Sequence, residues 1–303
     1  MDKNSVTWKD LWVAIVTPFD AAGAIDEDAL RAHVDWCIAE GVSGIVASGC
    51  TGEFWALTDD ERKRVIKACV EAAAGRVPVI GGTGAIRTAD VIALSGAAKD
   101  AGCDGVMILP PFFVKPSTGD IVAHYQAVSD AVDIPILLYN IPGNAVNALT
   151  PELTSRLADI DNVVAIKESS MDFTNYTRTL ALAGDRLRVF GYSLAGRLIG
   201  AAGAIETNPN FWASGLAEIH TAYSKGDIER ARALNETSVA LRDLTIARGR
   251  NMYCSVKAIM AMFGLSGGVP RLPLRPLAEP HLAELRQGLV GLGLMAGKEA
   301  AAQ

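Results

Sequence analysis

The sequence predicts an α/β protein: a (β/α)8 TIM barrel followed by a C-terminal helical domain. Three observations carry this expectation. Eight short apolar runs recur, centred near Ala14, Val46, Val79, Met107, Leu137, Ala165, Val189 and Ala204. The runs are continuous rather than alternating, as parallel strands covered on both faces require. Successive centres lie 24 to 33 residues apart through the seventh, which leaves room for a strand, a loop and a helix. Only the last gap, 15 residues, is cramped. The competing architecture is an open doubly wound sheet. Its dinucleotide fingerprint is missing, because Gly81-Gly82-Thr83-Gly84 lacks the spacing and the later glycine.

Helix start signals fall between the runs. Asp26-Glu27-Asp28 opens a segment that reaches Glu40 before Gly41. Thr58-Asp59-Asp60-Glu61 has the form of a capping box ahead of Arg64, Val65 and Ile66. Ser117 and Thr150-Pro151 open two more. After about residue 225 the strand pattern stops. Residues 227–248 read as a long amphipathic helix and 251–264 as another that ends at Gly264. A Pro-rich stretch from Pro270 to Pro280 leads to a final helix. We therefore expect a barrel over 1–225 and a helical domain over 226–303, packed together without a flexible linker. Lys298–Gln303 are expected to fray.

Composition narrows the function classes. Of 303 residues, half are hydrophobic and a fifth charged, the balance of a soluble globular protein. The net charge of −6 is spread without blocks, so nucleic acid, which needs a basic face, is not an expected partner. No apolar run reaches the ~18 residues of a membrane span. Met1-Asp2-Lys3-Asn4-Ser5 has no apolar signal core. The five cysteines (Cys37, Cys50, Cys69, Cys103, Cys254) lack metal-ligand spacing and read as reduced thiols in a cytoplasm. The four histidines form no zinc-type pair, so no metal is expected.

Chemistry is expected at the carboxyl ends of the strands. The run Asn162-Val163-Val164-Ala165-Ile166-Lys167 places an amine at such an end. Held against apolar neighbours, its ammonium is disfavoured, and a free amine can attack a ketone to form an imine. The alternative is a lysine that snorkels its head to water. Two other strand ends bear on this choice: Gly49-Cys50-Thr51-Gly52-Glu53 after the second run, and Tyr139-Asn140-Ile141-Pro142-Gly143 after the fifth. The loop could be an ordinary turn and Tyr139 a core aromatic. Together the three sites meet the needs of one reaction: a lysine to capture a 2-oxo acid, a phenol to move protons, and a glycine loop with a hydroxyl to hold the carboxylate.

On these motifs, with Thr17-Pro18-Phe19 near the start and Val256-Lys257 in the helical tail, the chain resembles the N-acetylneuraminate lyase and dihydrodipicolinate synthase family of class I aldolases. The resemblance covers nearly the whole length. It implies a (β/α)8 barrel with a C-terminal helical domain, a homotetramer or homodimer, and no metal or organic cofactor. Lys167 would form the Schiff base with a 2-oxo acid, Tyr139 would carry the proton, and Thr51 would bind the substrate carboxylate. Gly49 and Cys50 would line the pocket beside it.

The chain departs from the synthase branch at three positions. Asn144 stands where that branch has an arginine for the carboxylate of its aldehyde substrate, and an amide cannot make the charged fork. Cys50 replaces a hydroxyl residue of the proton relay. Phe113 replaces the relay's other tyrosine, usually lent by a neighbouring subunit. The sialic acid branch is disfavoured too, because Gly191-Tyr192-Ser193 lacks the acidic residue that would bind the sugar chain. Glu206, Asn208 and Asn210 could face substrate hydroxyls instead, or cap the following helix. Phe54 and Trp55 could wall the pocket or pack as core.

The sequence reading is thus a carbon–carbon lyase acting on a 2-oxo acid, such as a 2-keto-3-deoxy sugar acid, through a Lys167 imine. Gly191, Asn144 and Glu206 would meet the rest of the substrate. A Schiff-base dehydratase or deaminase, a 4-hydroxy-tetrahydrodipicolinate synthase and a non-catalytic oxo-acid binder are the alternatives.

Overall fold

Eight strands hydrogen-bond in chain order and the last returns to the first, all in parallel. The computed structural model describes residues 1–296. The expected fraying of Lys298–Gln303 therefore lies outside the described residues. The strands are β1 Asp10–Ala14, β2 Gly44–Ala47, β3 Val79–Gly82, β4 Gly105–Ile108, β5 Ile136–Asn140, β6 Val163–Glu168, β7 Arg188–Phe190 and β8 Gly203–Glu206. Each matches one apolar run. The cramped final gap is met by shortening: β7 has three residues, and the helix after it has six.

Helices cover the barrel: α1 Glu27–Ala39, α2 Asp59–Ala73, α3 Thr88–Asp100, α4 Thr118–Ala131, α5 Pro142–Ala145, α6 Pro151–Leu157, α7 Phe173–Ala183, α8 Ser193–Leu198 and α9 Pro209–Ser224. Their starts follow the local chemistry. Thr58 and Ser117 form the N-caps of capping boxes with Glu61 and Asp120. Asp26 and Thr150 accept from backbone N–H groups that helix starts leave unpaired, and Pro151 follows at N1.

Two apolar layers result. Between strands and helices lies a shell that includes Leu11, Val34, Ile45, Ile66, Val106, Ile136 and Val189. Inside the barrel lies a second set containing Trp8, Trp12, Val46, Leu137, Val164 and Phe190. The Trp12 indole packs edge-on against Trp8 and Phe190, with centroids 5.7 and 5.8 Å away. It also explains Gly44, where a Cβ would lie 2.2 Å from the indole. The barrel floor is thus filled, and only the other end can admit a ligand.

Beyond α9 the described residues hold helices and no strand: α10 Ile228–Ile246, α11 Met252–Met262 and α12 Glu279–Gly291. They pack on the barrel through a third cluster that joins Val16 and Phe211 to Leu241, Val256, Ile259, Met260, Leu285 and Leu289. We propose the division at residue 225 as the boundary between barrel and helical domain, since the turn from α9 to α10 falls there.

A buried ion pair crosses this junction. Lys257 on α11 meets Glu53 at 2.6 Å, with both side chains almost wholly out of solvent. The ammonium also donates to the Thr17 and Val269 carbonyls at 2.9 and 2.8 Å, and lies 4.4 Å from the Phe19 ring centroid. Glu53 in turn accepts from the Arg271 amide at 3.1 Å. Every strong donor of Lys257 is occupied, which is what makes burial of the charge tolerable. Lys257→Met leaves the Glu53 carboxylate without its cation. We expect a loss of about 3–5 kcal/mol, the usual result of breaking a buried pair from one side, read as a lowered denaturation midpoint. A loss below about 1 kcal/mol would mean that the pair is dispensable.

Candidate active site

At the mouth of the barrel, Tyr139 and Lys167 are in register on neighbouring strands β5 and β6. Residues paired in a parallel ladder point to the same face. Both side chains therefore enter the barrel interior, and the Lys167 Nζ sits 4.5 Å from the Tyr139 ring centroid. Lys167 is 8% exposed and the strand residues before it, Val163 to Ile166, are apolar and buried. Burial pulls its amine down from 10.5 to about 8, with Cys50 and Glu206 acting weakly the other way. At pH 7 roughly one Lys167 in ten is then uncharged, against about one in three thousand without the shift. The snorkelling alternative for Lys167 is excluded by this placement.

Tyr139 is 3% exposed. Burial, then the Cys50 and Tyr253 charges, push its phenol well above its usual value, while a hydrogen bond from Ser169 opposes this. The phenol therefore holds its proton and can lend it. The next residues are structural. Asn140 turns away from the mouth to grip the Leu149 backbone in both directions and donates to Glu168 at 2.7 Å. Glu168 also accepts from the Ser170 amide and from Asn175. This network fixes the turns after β5 and β6, and so the directions of Tyr139 and Lys167.

The loop after β2 supplies Gly49, Cys50 and Thr51. Ser48 and Glu53 bracket it with left-handed backbone, φ 55° at each, a conformation that costs of order 1–3 kcal/mol per non-glycine residue. Thr17 donates to the Gly52 carbonyl at 2.8 Å, and Lys257 anchors Glu53, which together hold the loop. Thr51 is buried, its hydroxyl 3.0 Å from that of Thr207 just after β8. A small pocket lined by Gly49, Cys50, Phe54, Met107, Leu109 and Tyr139 opens beside this loop.

Of the remaining expected residues, Glu206 lies at the carboxyl end of β8 and accepts from Ser193. Burial raises its pKa, against the pull of Ser193, Arg242 and Lys167. Asn144 is exposed on α5, and only its amide is bonded, to the Ile141 carbonyl. The Gly191 amide is taken by the Gly203 carbonyl, and a Cβ there would lie 2.4 Å from the Tyr176 ring. Packing alone thus accounts for that glycine. Asn210 does not face the mouth. It is fully buried, accepts from the Val16 amide and donates to the Ala14 and Thr207 carbonyls, locking α9 to β1. Phe54 packs under the Arg62 guanidinium, and Trp55 stands 39% exposed against Tyr253, centroids 5.2 Å apart. Phe113 is 84% exposed on the loop after β4.

Sequence reasoning missed three participants: Thr207, Ser193 and Tyr253. Thr207 and Tyr253 come from elements remote in the chain from the loop they lie against, and Ser193 from the segment just before β8. Only Thr207, directly after a predicted strand end, carried a local signal.

A filled parallel barrel with a desolvated lysine at its open end is the frame of the class I, imine-forming aldolases. The comparisons agree. The model of the Dihydrodipicolinate synthetase family matches residues 7–290. A 4-hydroxy-tetrahydrodipicolinate synthase of Acidiphilium cryptum is 36% identical over 288 residues, 94% of this chain and 98% of that protein. The enzyme of the same name from Geobacter sulfurreducens is 38% identical over 277 residues, 90% and 94% of the two chains. Among solved structures, the chloride-inhibited dihydrodipicolinate synthase of Acinetobacter baumannii, complexed with pyruvate, superposes with a TM-score of 0.88 at 33% identity, covering 95% of this chain and all of that one. A prophage protein of the dihydrodipicolinic acid synthase family from E. coli, also in complex with pyruvate, gives 0.91 at 28% identity over 96% and 100%. The chain belongs to the Dihydrodipicolinate synthetase family, and the protein is a lyase.

The lowered Lys167 pKa fixes a sign. Below about 8 the ammonium predominates and must lose a proton before it can attack. The rate of borohydride-trappable imine formation with pyruvate should rise about tenfold per pH unit up to about 8 and then level off. A rate that does not change between pH 6 and 9 would contradict the assigned state of the amine.

Proposed function

We propose that the protein cleaves or forms a carbon–carbon bond of a 2-oxo acid through an imine on Lys167. The observation that carries this reading is the in-register pair: an amine of lowered pKa and a protonated phenol on adjacent strands, both buried at one barrel mouth. The amine attacks the ketone and water leaves. The resulting iminium draws electrons from the β–γ bond, and Tyr139 moves the proton to or from the departing oxygen. Thr51 and the amides of the loop from Gly49 hold the carboxylate, with Cys50 against the reacting carbons.

For the substrate, we infer a 2-keto-3-deoxy sugar acid or a related hydroxy-oxo acid. Asn144 and Glu206 support this choice, since an amide and a carboxyl suit hydroxyl groups. The comparisons favour a second reading, 4-hydroxy-tetrahydrodipicolinate synthesis, because the cited relatives carry that name. Against it stands the absence of a cation at position 144. A panel of 2-keto-3-deoxy acids, assayed for pyruvate release beside pyruvate with aspartate semialdehyde, separates the two. We expect pyruvate release to be the faster; pyruvate consumption only in the presence of the semialdehyde would establish the synthase. Release of water or ammonia without pyruvate would point to a dehydratase or deaminase. A cytoplasmic homotetramer or homodimer is part of the proposal. Its supporting surface is the apolar set Trp55, Ile86, Phe113 and Val146, exposed on loops at the mouth end.

Lys167→Arg should abolish both turnover and the pyruvate adduct trapped by borohydride, because a guanidinium stays charged and cannot attack. A persistent adduct at another lysine would overturn the assignment. Tyr139→Phe should lower turnover by roughly 10²–10⁴ while leaving the trapped adduct in place.

A further inference from the structure

The proton carrier has an unanswered need. Tyr139 is buried to 3% exposure, and each proton that it gives must be replaced from water. The aromatic residue on the loop after β4, Phe113, has no hydroxyl and points to solvent. A different phenol occupies the approach. Tyr253 lies in the first turn of α11, whose start is fixed by Asn251 accepting from the Tyr253 and Cys254 amides. Its ring lies tilted against Trp55 and packs on the barrel-mouth cluster that contains Cys50 and Tyr139. Cys50 shares that cluster with both phenols, close enough that its charge adds to burial in raising each of them. Tyr253, unlike the other two, is partly exposed. Three groups with exchangeable protons are thus packed together from the partly exposed Tyr253 to the buried Cys50 and Tyr139.

We propose that Tyr253 is a positioning residue of a proton relay, delivered from the C-terminal helices to Tyr139 through Cys50 within a single chain. The inference rests on the imine reading. When Tyr139 gives its O–H proton to the reacting atom, its oxygen takes the thiol proton of Cys50. The sulfur takes the Tyr253 proton, and the Tyr253 oxygen is reprotonated by water. One proton passes from solvent to substrate, and each donor regains what it lost. Abstraction runs the same path backwards. Concerted hand-off suits this sulfur, since burial disfavours a lasting thiolate there. The buried Glu53–Lys257 pair serves the relay by tying α11 to the loop that carries Cys50.

The test needs no knowledge of the physiological substrate. Pyruvate in D2O exchanges its methyl protons when the lysine imine converts to the enamine and back, and proton NMR follows the rate. Borohydride trapping of pyruvate measures imine formation separately. Tyr253→Phe keeps the ring on Trp55 and removes only the hydroxyl. We expect trapping to be unchanged and exchange to slow by about tenfold or more, within reach of the usual effect of a positioned proton carrier. Cys50→Val should give a similar loss, Cys50→Thr should restore most of the rate, and the Cys50→Val/Tyr253→Phe double variant should be no slower than either single one, because members of one relay are not additive. Exchange within twofold of the parent in Tyr253→Phe, or multiplying losses in the double variant, would overturn the relay. Absence of any trapped adduct in the parent protein would instead overturn the imine reading itself.

Discussion

The closed parallel barrel is the constraint from which the site follows. Closure pairs every strand on both sides, so no backbone edge is left for a ligand. The floor is filled by Trp8, Trp12 and Phe190, packed edge to face. What remains is one open end where a side chain is both desolvated and reachable. Lys167 occupies it. The same pairing sets Tyr139 beside it, because β5 and β6 run in register there. Neither residue would be chemically unusual in water. The fold makes one a partly neutral amine and the other a firmly protonated phenol.

The loop after β2 is held by a different force. Its left-handed backbone at Ser48 and Glu53 is unfavourable for residues with a Cβ, so something outside the loop must impose it. That role falls to the buried Lys257–Glu53 pair and to Arg271, which donates its amide to Glu53 and binds Glu61 with both guanidinium nitrogens. The helices beyond the barrel are thus more than a cover. They hold the loop from Gly49 to Glu53 in shape, and their α11 brings Tyr253 to the mouth. This gives a physical reason for an unbroken apolar junction at Val16, Phe211 and Val256.

Much of the arrangement was legible in the residues. Continuous apolar runs gave the strands, and Thr58, Ser117 and Thr150-Pro151 marked helix starts that the structure reproduces. Lys167 and Tyr139 could be found because each sits at the end of such a run. Asn210 shows where the reasoning fails. An amide after a strand end serves equally to bind a hydroxyl or to close a backbone gap, and only the packing of α9 on β1 decides for the latter. Gly191 is similar: its small size answers to the Tyr176 ring. Trp55 satisfies neither simple expectation, standing half in solvent as a platform for Tyr253.

The sequence alone determined what is periodic or local: eight strands, their helices, the caps, and a lysine and a tyrosine at strand ends. These depend on neighbours a few residues away, whose side chains and backbone preferences are written in order. The tertiary structure decided everything that depends on distance across the chain. It set the depth at which Lys167 is buried, the partner of Thr51, the ion pair between residues 53 and 257, and the meeting of Tyr253 with Cys50. Those contacts join segments up to some two hundred residues apart, and only closure of the barrel and docking of the helices bring such segments within a few ångströms.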